Sequence, residues 1–171
     1  MKLTVRRSSP ARRHRAHTVA LGERLLPRDG SIDGFVAAVA RHRGRPLHVL
    51  DYPLDAAGPS GLWVGTSSGD FIIRSAAATP TRGATIVCHE LAHMLLGHEP
   101  EVGDLQAAEV IARVLAPDVD AAVAARFLAR HGYEAADEED AEAVATALVT
   151  TAASRQRAAA TTADRVSTRL R

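Results

Sequence analysis

The pentapeptide His89-Glu90-Leu91-Ala92-His93 carries the most direct chemical signal in the chain. A helix advances about 3.6 residues per turn, so residues four apart lie on one face, one above the other. On a helix, His89 and His93 would present two imidazoles able to share one divalent metal ion. Glu90 would sit beside them, where its carboxylate can take a proton from water as that water attacks a carbonyl. The pattern predicts a zinc-dependent hydrolase of peptide bonds, with Zn2+ as cofactor, His89 and His93 as ligands and Glu90 as general base.

A catalytic zinc ion ordinarily has three protein ligands and one open position, so a third donor must come from elsewhere. The version with Gly three residues and His six residues after the second histidine is excluded, because Leu96 and Glu99 hold those places. His98 falls on another helical face, where capping of the helix end or contact with solvent is expected. A carboxylate on a later helix remains. Glu138 and Glu142 are spaced i, i+4 and can both face the site. One would ligate the metal, and the other would accept the N–H of a ligating histidine and so fix its tautomer. Glu109 competes, since it also falls on an expected helix nearer in sequence, and Glu139 is a further alternative. Tyr133 or His131 could donate a hydrogen bond to the oxyanion that develops during attack.

These groups need helices and a small sheet to position them. Ser31 caps an apolar stripe of Ile32, Phe35, Val36, Val39 and Ala40, which Gly44 and Pro46 stop. Leu47 to Tyr52, Leu62 to Thr66 and Phe71 to Arg74 read as three short strands. Ser67-Ser68-Gly69-Asp70 between the last two is a hairpin signal. An antiparallel meander is the simplest arrangement of strands so close in sequence. Thr79-Pro80 starts the motif helix and Gly97 ends it. Further helices are expected over about 104–115, 118–130 and 137–153. The last has Ala141, Val144, Ala145, Leu148 and Val149 as its apolar stripe.

Composition is ordinary for a globular chain, at 46% hydrophobic and 24% charged residues, and the net charge of +1 argues against a nucleic-acid partner. Residues 1–19 are basic without apolar period and read as a disordered tail; 20–153 read as one domain, and 154–171 as a frayed or disordered tail or an extension of the last helix. Cys88 is the single cysteine, so no internal disulfide forms, and it reads as a small buried apolar residue. No secretory h-region and no apolar stretch of membrane-spanning length is present, which points to the cytoplasm and to no membrane partner. Oligomeric state is not encoded in any pattern here.

The segment Ile86-Val87-Cys88-His89-Glu90-Leu91-Ala92-His93-Met94-Leu95-Leu96-Gly97-His98 resembles the metal-binding helix of the ImmA/IrrE family of zinc metallopeptidases. Glu138-Glu139-Asp140-Ala141-Glu142-Ala143-Val144-Ala145 is similar to that family's second conserved helix, with Glu138 in the ligand place. The likeness spans about residues 30–153 and is to short, single-domain actinobacterial members described as toxin components or regulatory peptidases. It implies an α+β, zincin-like fold: a short antiparallel three-stranded sheet on the HExxH helix, followed by a helical C-terminal half. It also implies a gluzincin-like site of His89, His93 and Glu138, with Glu142 behind it. The substrate it implies is a protein or peptide, such as a helix-turn-helix repressor or antitoxin, with the strand Phe71–Arg74 as an edge for extended substrate. The alternative is a non-catalytic partner-binding module on the same fold, the toxin component of a toxin–antitoxin pair.

Overall fold

The computed structural model describes residues 9–54, 60–65, 69–98 and 133–169. In chain order they form α1 (Pro10–Leu25), α2 (Ile32–Arg43), β1 (Leu47–Tyr52), β2 (Gly61–Gly65), β3 (Asp70–Ser75), α3 (Pro80–Leu96) and α4 (Ala135–Arg169), an α+β arrangement. The helices expected over 104–115 and 118–130, with Glu109 and His131, lie outside the described residues.

Local chemistry sets the limits of α3. The Thr79 hydroxyl accepts the Arg82 N–H at 3.4 Å, and Pro80 takes the first helical position, where a missing N–H costs nothing. Gly97 ends the helix at φ 78°, a left-handed conformation that a Cβ would oppose. Between these ends α3 is buried on most sides. Its residues Val87, Cys88, Leu91 and Ala92 join Phe35 and Val39 of α2, Trp63 of β2 and Ile72 of β3 in the main core.

The sheet corrects the expected meander. Its order is β1-β3-β2, with β2 antiparallel to β3 but β1 parallel to β3. The hairpin reading of β2 and β3 holds, with Trp63 opposite Ile72. The third strand joins the other side of β3, with Val49 opposite Ile72. Phe71, Ile72 and Ile73 are apolar in succession, which suits a strand covered on both faces and therefore the central place. Ile72 and Trp63 face the main core, while Ile73, Leu62 and Val64 form a second cluster on the opposite face. Phe71–Arg74 is thus central and not the edge expected of it; β2 is an edge strand among the described residues.

Residues 1–8 of the expected N-terminal tail lie outside the described residues, the rest of it, from Pro10, is helical, and at the other end the last helix is extended. Residues 10–19 belong to α1, which begins with a Ser9 cap and Pro10. Its apolar face is thin, and long-range polar contacts add to its docking. Arg15 donates to Asp140 of α4 at 2.7 Å, and His14 Nε2 lies 3.2 Å from the Leu96 carbonyl at the end of α3. At the other end α4 continues through Arg169. Arg155 donates to the Leu26 and Glu23 carbonyls, and Gln156 donates to Gly30 O at 2.8 Å. No local period could announce these contacts, because each partner lies more than eighty residues away.

The packing of α4 on α3 is the contact that builds the site. Ala141, Val144, Ala145, Leu148 and Ala152 are all buried, at helical spacing along one face. Burying a side chain such as Val144 or Leu148 contributes roughly 1.5–3 kcal/mol. The small residues at 141 and 145 allow close approach of the two helix axes. Among the described residues, no helix is long and apolar enough to cross a membrane.

Candidate metal centre

Helix α3 delivers His89 and His93 one turn apart, and the first turns of α4 deliver Glu138 across from them. Their donor atoms converge. His89 Nε2 and His93 Nε2 are 3.0 Å apart. Glu138 Oε2 is 3.3 Å from His89 Nε2, and Glu138 Oε1 is 3.5 Å from His93 Nε2. Among the described residues, these three form the group that could hold a metal ion.

The spacing provides a test of fit. Ligand atoms at about 2.0–2.1 Å from a tetrahedral ion stand about 3.3 Å from one another. The three separations bracket that value. The donor set fits as well, since two imidazoles and a carboxylate suit zinc and neighbouring transition metals better than calcium or magnesium.

The electrostatics keep a lone pair available. His93 is fully buried, and its pKa falls from 6.5 to about 3, first through loss of solvent and then through the neighbouring His89 and His98. It is neutral at any physiological pH. Cys88 beside the motif is fully buried, and burial pushes its thiol up to about 12, so it packs as an apolar residue.

Around the donors stands a second set of contacts. Glu142 Oε2 lies 3.5 Å from His89 Nδ1, so the i, i+4 pair of glutamates divides between the two nitrogens of one imidazole. Tyr133 stacks on His93 with ring centroids 3.7 Å apart. Glu139, by contrast, is 81% exposed and lies toward Arg15, away from the donors.

His98 corrects its expected placement. Its Nδ1 is 2.8 Å from His93 Nδ1, and its Nε2 is 3.4 Å from Asp137 Oδ1. The cause is the helix ending. His98 N–H donates to His93 O and Gly97 N–H to Met94 O, the paired bonds of a Schellman ending. That geometry turns the residue after the glycine back onto the one five positions earlier. The signal was present in the sequence as Gly97 followed by a histidine, but helical face counting does not apply past a left-handed residue.

His89 and Glu138 line a cleft of about 660 Å3 whose walls also include Gly61, Ile86, Glu90, Tyr133 and Glu142, while His93 is fully buried. Glu90 is nearly fully buried. Gly61, at the start of β2, makes room for it. A Cβ there would stand 3.1 Å from Glu90 Oε1 and well inside van der Waals contact with Ile86 Cγ2. Gly61 was not legible as a site residue, since its role comes from the crossing of β2 over α3.

No family model, curated protein or solved structure matches this chain.

Proposed function

We propose that this chain is a zinc-dependent endopeptidase with a zincin-like fold, of the ImmA/IrrE type. The observation that carries the reading is the convergence of His89, His93 and Glu138 at tetrahedral spacing, with His89 and Glu138 on the wall of an open cleft. A zinc ion bound there supplies a Lewis acid that lowers the pKa of water and polarises a peptide carbonyl.

The remaining work falls to the chain. Glu90 accepts a proton from the attacking water and passes it to the leaving nitrogen. Its burial beside Gly61 holds the carboxylate in one place. Glu142 orients His89 through Nδ1. The ring of Tyr133 covers one face of His93 and brings the phenol to the cleft wall as a candidate donor to the oxyanion. The start of β2 borders the same cleft at Gly61, with Ser60 just before it, and the outer edge of β2 is the place where an extended peptide would add as a further strand. The substrate we propose is a regulatory protein, such as a helix-turn-helix repressor or an antitoxin.

The test is Glu90→Gln, assayed for zinc content and for cleavage of a repressor or antitoxin encoded beside it. Retained zinc with cleavage lost is the expected result. Undiminished cleavage would remove Glu90 from the mechanism. Tight binding of that protein without cleavage, by both wild type and variant, would instead indicate the partner-binding module.

A further inference from the structure

We propose that the outward face of α1 binds the phosphate backbone of duplex DNA. In the reading above, that duplex would carry the repressor to be cleaved; the binding itself does not depend on the metal centre.

The argument starts from where the charges sit. Arg12, Arg13, His17 and Arg24 are all exposed. Arg13, His17 and Arg24 follow at helical spacing along one side of α1, over a rise of about 16 Å, with exposed Ala16 and Ala20 among them. The other side is the docked one: Thr18 and Gly22 are buried there, and Arg15 donates to Asp140 of α4 at 2.7 Å. Glu23, the single acid of α1, accepts the Thr151 hydroxyl of α4 at 3.1 Å. Among the described residues, Arg12 and Arg24 form no ion pair. Nor does this charge serve the helix itself. A helix start is the positive end of the peptide dipole and is stabilised by acids, yet the first turn of α1 holds no acid and two arginines.

The chemistry of the face selects the ligand. A helix that lies on a membrane sets large apolar residues beside its cations, and a protein interface needs an apolar centre. Only alanines stand among the cations of α1. Single-stranded nucleic acid is held by aromatic rings that stack on bases, and α1 has no Phe, Tyr or Trp. Duplex DNA needs none of these. It presents one negative charge about every 1.7 Å of its axis and favours cations held in a row. The net charge of +1 conceals that row, because the sum includes six acids between Glu134 and Glu142. Docking of α1 fixes the cations as an array, which a disordered tail would not.

The experiment is fluorescence anisotropy with a labelled DNA duplex of arbitrary sequence, across about 50–200 mM salt. Three arginines on three phosphates give a slope of about −3 for log affinity against log salt, so wild type should lose roughly forty-fold over that range. Arg13→Ala and Arg24→Ala should each reduce the slope by about 1, and Arg24→Lys should keep it. Arg82→Ala removes an exposed arginine at the far end of α3 from the His14–Leu96 contact and should leave the slope unchanged. No binding by wild type at the lowest salt overturns the proposal. So does an equal effect of Arg82→Ala and Arg24→Ala, because charge anywhere on the surface would then suffice. Tighter binding to phosphatidylserine vesicles, or to a single strand of the same length, also overturns it. Metal-free and zinc-loaded protein should bind the duplex alike, so a protein that takes up no zinc would refute the metal centre and leave this result standing.

Discussion

Acid should destabilise the metal-free protein through His93 by an amount that can be worked out in advance. The imidazole is fully buried, and its pKa falls from 6.5 to about 3 on folding. Below pH 6.5 the unfolded chain binds a proton that the folded chain refuses, so lowering the pH favours unfolding. The contribution is fully present above 6.5 and is lost as the pH falls toward about 3. Each pH unit within that window costs about 1.4 kcal/mol, which gives a loss of about 2 kcal/mol between about pH 7.5 and pH 5. The figure needs only a folded value well below 5. Urea unfolding of chelator-treated protein across this range measures it, with His93→Gln as the control that cannot titrate. Subtracting the two curves isolates His93 from the other histidines. Wild type should lose about 2 kcal/mol relative to the variant, roughly an eighth to two-fifths of a typical domain's stability. Parallel curves for the two proteins would refute the reasoning, because His93 would then titrate alike folded and unfolded.

Other outcomes follow from packing. Gly61→Ala crowds Ile86 and Glu90, so it should lower stability by about 1–3 kcal/mol in urea unfolding and impair hydrolysis without loss of metal ligands. Leu148→Ala empties a fully buried place on α4 and should cost about 2–5 kcal/mol by the same assay. Cys88, with its thiol pushed up to about 12 by burial, should react with a disulfide reagent at least about a hundredfold more slowly in folded than in urea-unfolded protein.

Much of this architecture is written locally. Thr79-Pro80 and Gly97 mark the motif helix because capping and left-handed geometry are properties of a few adjacent residues. The stripe from Ala141 to Leu148 marks the face of α4, and the glutamates at 138 and 142 reach the site from it. What escaped the sequence depends on distant partners. The hairpin signal pairs β2 with β3 but does not say which strand β1 joins, and β1 lies parallel to β3. α1 lacks an apolar period, and part of its attachment is made through Arg15 and His14 to residues far along the chain. The extension of α4 carries Arg155, whose partners are backbone carbonyls before α2. His98 was misplaced for a different reason: the left-handed Gly97 breaks the helical count and folds the histidine back onto His93.

The central claim is a metal ion held by His89, His93 and Glu138. Anomalous diffraction at the zinc edge, from crystals grown with stoichiometric zinc, tests it most directly. The account predicts one strong peak per chain, about 2.0–2.2 Å from His89 Nε2, His93 Nε2 and a Glu138 carboxylate oxygen. A peak elsewhere, or coordination that omits Glu138, would contradict it.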